Sequence, residues 1–267
     1  MFVKIINRLQ ETESSLIRIA LIQPSIYKSK LQSLYYFEKV LKRFKSVNFD
    51  VICLPELWYT GIVNDFKDEF SKILELAKEK DSTIVSGAFL ERINGDLYIS
   101  CPIISRNGKI VGRQLKIHPF RAQMKEVKAG HRAEVFNFRD FKFGVVICYD
   151  SVFPEVSRAL TLKGADILFF PSKIRTEGIK PWQIYLQARA LENRIPVVAP
   201  NICGTMYGGK STIIDLNYNK TNDIALPTAN VLSSRPQLRV VTIDIKKYRH
   251  IRRQRFKDFK PHIYDLL

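Results

Sequence analysis

Cys148 ends a short apolar run, Val145-Val146-Ile147, that is β-branched throughout and follows Gly144. Such a run predicts a buried strand, and Pro154-Glu155 shortly beyond it predicts the start of a helix. A cysteine at a strand-to-helix turn lies at the carboxyl edge of a sheet, where α/β folds place their chemistry. The amide N–H groups beyond it are left free to receive an anion. Two further residues hold comparable positions: Glu56 follows the apolar run 51–55, and Lys116 follows 110–115 at the end of a hairpin strand. A free thiol titrates at about 8.5, so attack at neutral pH needs a base or a positive charge beside it. Taken singly, each residue has a plainer reading: a small core cysteine, a glutamate near a helix N-terminus and a surface lysine.

The other cysteines, Cys53, Cys101 and Cys203, are widely spaced and form no Cys-x-x-Cys pair. Neither a disulfide framework nor a zinc ribbon is expected, and a reducing cytoplasm is the expected location. No metal or other cofactor is expected, because no His or Cys pair has ligand spacing. His118 is the natural rival base. Yet none of His131, His250 or His262 stands near a strand end, so a structural role in its loop is the expectation for His118.

The elements that must position these residues alternate at first. Strand 18–23 is closed by Pro24, and Ser29 and Gln32 form a capping-box pattern before a helical stripe of Leu34, Phe37, Leu41 and Phe44. Strand 50–54, helix 66–80 and strand 81–90 follow, the order of parallel strands with crossover helices. Segments 97–106 and 109–115 read as a hairpin about Asn107-Gly108, so the sheet is mixed. An aperiodic loop covers 117–132. Strands 134–138 and 141–147, helix 154–163 with Gly164 as its stop, strand 166–170, helix 181–193 and strands 196–200, 211–215 and 238–243 complete the order. So many strands exceed one twisted open sheet. The expectation is an α/β, four-layer α-β-β-α sandwich of two mixed sheets with helices outside.

The chain has 267 residues, 46 % of them hydrophobic, which excludes a disordered or fibrous protein. No glycine-rich linker or repeat divides it, so a single domain over 1–267 is expected, with 1–15 as a lead-in that lacks secretory-signal features. No apolar stretch is long enough to span a membrane. The net charge of +17 admits a polyanion binder, but the cations are dispersed and no nucleic-acid motif accompanies them. The dense run 246–255, within a C-terminal basic helix and tail over 244–267, is expected to be a solvated helix face or a subunit contact.

Leu54-Pro55-Glu56, Lys116-Ile117-His118 and Gly144-Val-Val-Ile-Cys148-Tyr149-Asp150, with Phe153-Pro154-Glu155, resemble the glutamate, lysine and cysteine motifs of the nitrilase (carbon–nitrogen hydrolase) superfamily. The likeness extends through Arg189-Ala-Leu-Glu192-Asn193, Asn201 and 211–215, and spans roughly residues 18–255. It implies a Cys148 nucleophile, Glu56 as general base, and a thioester route that splits a difficult hydrolysis into two steps. The Lys116 ammonium and the Tyr149 N–H would receive the oxyanion. Glu126, in the loop after Lys116, matches an additional glutamate of the family that orients the lysine. Arg189, Glu192 and Asn193 read as structural, tying their helix to the site edge.

Cys-Tyr-Asp with Phe-Pro-Glu resembles amidases more than nitrilases, so a small-molecule amide is the expected substrate. Relatives acting on ω-amides carry an arginine where this chain has Val152. Lys173 or Arg175 is the candidate replacement cation, and Tyr59 and Trp182, with Trp58 and Met206, are candidate pocket walls. The resemblance implies a homodimer or higher homo-oligomer, with no membrane or nucleic-acid partner. The alternatives are a basic polyanion-binding protein on the same scaffold, and a nitrilase, N-carbamoyl hydrolase or acyltransferase.

Overall fold

The computed structural model describes residues 15–43, 48–121 and 123–260. The lead-in before Ser15, Phe44 of the first helical stripe, and the tail with His262 lie outside them. Strand β1 (Leu16–Gln23) shows how the layers arise. Successive side chains of a strand face opposite sides. Ile17, Ile19 and Leu21 accordingly enter one apolar cluster while Ala20 and Ile22 enter another. Where the strand is covered on both faces it must be apolar, which is why Ile19-Ala20-Leu21-Ile22 reads as a continuous hydrophobic run while Leu16 and Arg18 lie exposed before it.

β1 is parallel to β2 (Val51–Cys53), and β2 to β4 (Thr83–Val85). The first sheet has the order β14 (Gln237–Asp244), β1, β2, β4, β6 (Asp96–Ile104), β5 (Phe89–Ile93) and β3 (Ile62–Val63), with β7 (Ile110–Leu115) also paired to β6. The second sheet runs β13 (Ile224–Val231), β12 (Thr212–Asn219), β11 (Val197–Ala199), β10 (Ile167–Phe169), β9 (Phe141–Val145) and β8 (Val135–Phe138). Helices α1 (Lys30–Arg43), α2 (Phe66–Glu69) and α3 (Ser71–Glu79) cover the first sheet through Phe37, Val40, Phe66, Ile73 and Leu76. Between the sheets, Ile19, Val51 and Val85 share a cluster with Phe143 and Val145. A short helix, α4 (Gln123–Glu126), lies after β7. Helices α5 (Pro154–Leu162), α6 (Ile179–Asn193) and α7 (Lys246–Lys257) complete the second outer layer. The four-layer sandwich expected from the strand count is the observed architecture.

Several local expectations change. The helix expected over 66–80 breaks at Phe70, whose backbone leaves the helical region (φ −125°, ψ 32°). Its ring joins Trp58, Tyr59, Phe66 and Phe89 in one aromatic cluster. β13 was not expected, because Pro227 and its polar neighbours do not read as a strand. As an edge strand, largely exposed, it tolerates both. A second hairpin joins β5 to β6 through Asn94-Gly95, both at positive φ. The Ser29 cap holds the Gln32 N–H at 3.3 Å, but Gln32 answers to the N–H of Lys28 rather than closing the reciprocal box.

The basic run is partly consumed inside the fold. Arg249 and Arg252 of α7 both bind Asp166, each at 2.7 Å. Among the described residues no helix is long and apolar enough to cross a membrane.

Candidate active site

β9 runs into a 3-10 turn, Cys148–Val152, before α5 begins. Gly144 lets this segment approach the helix, since a Cβ there would sit 2.9 Å from both terminal methyls of Leu160. The Cys148 N–H is fixed on the Pro171 carbonyl at 2.9 Å. Cys148 itself has φ +49°, a left-handed conformation that costs a non-glycine residue on the order of 1–3 kcal/mol and persists only where its surroundings enforce it. The turn leaves the Tyr149 N–H without an acceptor among the described residues. Cys148 is 9 % exposed, and the Lys173 backbone N–H favours its thiolate.

Glu56 reaches the same rim from the other sheet. Beyond β2, Leu54 donates to Val85 O at 3.0 Å, Glu56 to Ser172 O at 3.3 Å and Leu57 to Ala88 O at 2.5 Å. The Glu56 bond crosses to the loop after β10, so the carboxyl ends of the two sheets are tied together at the site. Gly87 makes this turn feasible. It has φ +76°, and a Cβ there would lie 2.2 Å from Pro55 O and 2.8 Å from the Trp58 indole. Gly87→Ala must therefore displace the turn carrying Glu56. The expected outcome is a loss of about 2–4 kcal/mol of stability, with the residual folded protein at least tenfold less active. Denaturant melts and turnover measured side by side check this.

Lys116 completes the group. Its N–H donates to Ile99 O and its carbonyl accepts from Gly130, both at 2.8 Å. The Nζ lies 2.7 Å from Glu56 Oε1 and 3.1 Å from Gln123 Oε1. Glu56 is 2 % and Lys116 1 % exposed, so this is a dry ion pair. Burial works against the Lys116 charge, but the Glu56 charge leads the effects that more than offset it, and its pKa rises. Lys116 therefore stays an ammonium throughout the neutral range. Its contribution to stability is present there and is lost only as pH rises through its elevated folded-state value. Burial pushes the Cys148 thiol well up and the Glu56 charge adds to this; Lys116 opposes both. The thiol thus rests protonated, with the Glu56 carboxylate near enough to act on it.

A further carboxylate holds the frame. Asp150, 1 % exposed, lies in the nucleophile turn and accepts the N–H of Ile117 at 3.2 Å, the N–H of His118 at 2.7 Å and His118 Nδ1 at 2.9 Å. The His118 ring stacks on Phe153, centroids 3.7 Å apart. This fulfils the structural expectation for His118 and sets the lysine loop against the cysteine turn. An amide offers one acceptor oxygen where the carboxylate offers two. Asp150→Asn should therefore lower kcat roughly tenfold to a hundredfold with KM within about threefold, because a misplaced Lys116 costs transition-state rather than ground-state binding. Steady-state kinetics on the variant check this.

The carbon-nitrogen hydrolase family model matches residues 18–253, across all the residues just described. The chain belongs to the carbon–nitrogen hydrolase family, within the nitrilase superfamily. This carbon–nitrogen hydrolase is 33 % identical to the 2-oxoglutaramate amidase of Bacillus subtilis (strain 168) over 64 % of the chain and 72 % of that protein. It is 30 % identical to a hydrolase in the agr operon of Staphylococcus lugdunensis over 80 % of the chain and 97 % of that protein. A carbon–nitrogen hydrolase from Helicobacter pylori G27 shares its fold, with a TM-score of 0.80 at 19 % identity, covering 94 % of this chain and 97 % of that one.

Within this family member, several positions differ from expectation. The carboxylate sought beside Lys116 at Glu126 is not there: Glu126 is exposed on α4, and Gln123, one turn earlier, faces the lysine instead. Tyr59 is 2 % exposed inside the aromatic cluster, its hydroxyl bound to Glu69, which also pairs with Lys30 at 2.7 Å. It is a core residue rather than a pocket wall. Trp182, 3 % exposed, is likewise packed into the core. Lys173 lies beside the nucleophile through its backbone, and its ammonium sits 5.0 Å over the Tyr207 ring. Arg175 is exposed and 3.5 Å from Glu177. Arg189 ties α6 to the nucleophile turn by donating to Ser151 O at 3.1 Å and Val152 O at 2.9 Å. Gln123 and Asp150 were missed as site residues. Asp150 was legible from its place two residues beyond the cysteine, whereas Gln123 carries no sequence signal of its own.

Proposed function

We propose that this chain hydrolyses primary amides of small carboxylic acids through a thioester on Cys148. The observation that carries the reading is the buried 2.7 Å contact between Lys116 Nζ and Glu56 Oε1, with both charges acting on the Cys148 thiol. Glu56 takes the thiol proton as sulfur bonds to the amide carbon. The negative charge that develops on the carbonyl oxygen meets the Lys116 ammonium and the Tyr149 N–H. Collapse breaks the carbon–nitrogen bond, and Glu56 returns the proton to the departing nitrogen, so ammonia leaves. Water then attacks the thioester, giving a proton to Glu56. The second collapse returns that proton to the Cys148 sulfur and releases the acid.

The amidase name of the Bacillus relative supports the choice of an amide, as does Cys-Tyr-Asp at the nucleophile. The test is ammonia release from a panel of primary amides, N-carbamoyl compounds and nitriles, with Cys148→Ala as the control. The expected result is turnover confined to amides and abolished in the variant. Turnover of nitriles alone, or amide turnover that survives Cys148→Ala, overturns it.

A further inference from the structure

Gln123 stands where a carboxylate was expected, and its hydrogen bonds fix which way its amide faces. Both partners of Oε1, the Lys116 ammonium at 3.1 Å and the Phe120 N–H at 2.9 Å, are obligate donors. The oxygen must therefore face them, and the Nε2 group must face away. Nε2 carries two N–H donors and has no acceptor among the described residues, and Gln123 is only partly buried. The nearby wall is set by the Phe120 ring packed edge-on against Tyr149, centroids 4.8 Å apart, beside the nucleophile. An amide held in this way keeps its oxygen on the ammonium and leaves two N–H donors uncommitted among the described residues.

We propose that Gln123 is a specificity residue whose Nε2 donates to an acceptor oxygen on the acyl chain of the substrate, adjacent to the scissile carbonyl. The inference rests on the amide-hydrolase reading above and narrows its substrate class. A carboxylate at this position would offer only acceptors and would repel such an oxygen. The carboxamide holds Lys116 while inverting that preference.

The test uses an isosteric pair, 2-methoxyacetamide and butanamide, which differ by an ether oxygen in place of a methylene. The expected result is a preference for the ether in kcat/KM that exceeds its intrinsic reactivity advantage by roughly fivefold to tenfold, the worth of about one hydrogen bond. Gln123→Ala should lower the ratio about fivefold to tenfold from the wild-type value, to the preference set by the ether's electron withdrawal alone, and Gln123→Glu, which keeps the acceptor for Lys116 but loses both donors, should lower it at least as far. A ratio unchanged in both variants overturns the proposal. A second measurement does not need turnover: alkylation of Cys148 by iodoacetate relative to iodoacetamide. Gln123→Glu should cut that ratio at least tenfold and Gln123→Ala a few-fold, whereas equal ratios in all three proteins overturn the assignment. If no amide is hydrolysed yet the alkylation ratios shift as stated, the amidase reading fails and the placement of the Gln123 donors stands.

Discussion

Lys116→Ala is expected to lower kcat/KM by about 10³ or more and to lower the melting temperature by roughly 10 °C. The rate loss follows from its double duty. One oxyanion donor is worth about 10²–10³, and the same ammonium holds the general base at 2.7 Å. The stability loss follows from burial. With Glu56 2 % exposed, removing Lys116 leaves a dry carboxylate without its counter-charge, and breaking such a pair costs about 3–5 kcal/mol. For a chain of this size each kcal/mol shifts the midpoint by about 2–4 °C. The two effects separate in the double variant Lys116→Met with Glu56→Leu. It should recover most of the lost stability, because an apolar pair replaces an ion pair at little cost, while remaining inactive. Calorimetry and ammonia release on both proteins check this.

Glu56→Gln should be the more damaging change for turnover and the milder one for the fold. Glutamine keeps an acceptor oxygen for Lys116, so the melting temperature should fall less than in Lys116→Ala. The proton traffic fails at every step, however. General acid–base catalysis contributes about 10²–10⁴, and Glu56 serves both halves of the proposed reaction, so kcat/KM should fall by about 10⁴. The residual rate should also gain a pH dependence of known sign. Burial raises the Cys148 pKa first and Glu56 raises it further. Neutralising Glu56 lowers it from that elevated position. Without a base, attack must await the thiolate, so residual activity should climb through the alkaline range. A variant whose rate is flat between pH 7 and pH 10 would contradict this account.

Much of the architecture was legible because burial imposes composition. A strand covered on both faces has to be apolar, and 18–23, 50–54 and 141–147 announce themselves in that way. Glu56, Lys116 and Cys148 were legible as strand-end residues of the right chemical types, and their order along the chain matched one family. The illegible parts depend on contacts made in space. Phe70 breaks a periodic helix because its ring finds three aromatic partners from other segments, Trp58, Tyr59 and Phe89, beside Phe66 of its own. β13 forms because β12 offers a free edge, and an edge strand escapes the composition rule. The exchange of Glu126 for Gln123 has the same origin. Choosing among polar residues in a loop depends on which side chain of α4 turns toward Lys116, and loop composition does not encode that.

The proposed hydrolysis requires a covalent acyl group on one sulfur. Acid-quenching the wild-type protein during turnover of a slow primary amide, then mapping it by peptide mass spectrometry, tests this directly. The acyl mass is expected on the peptide containing Cys148, released by mild hydroxylamine as a thioester is. Steady turnover with no acyl group on Cys148, together with undiminished hydrolysis in Cys148→Ala, would contradict it.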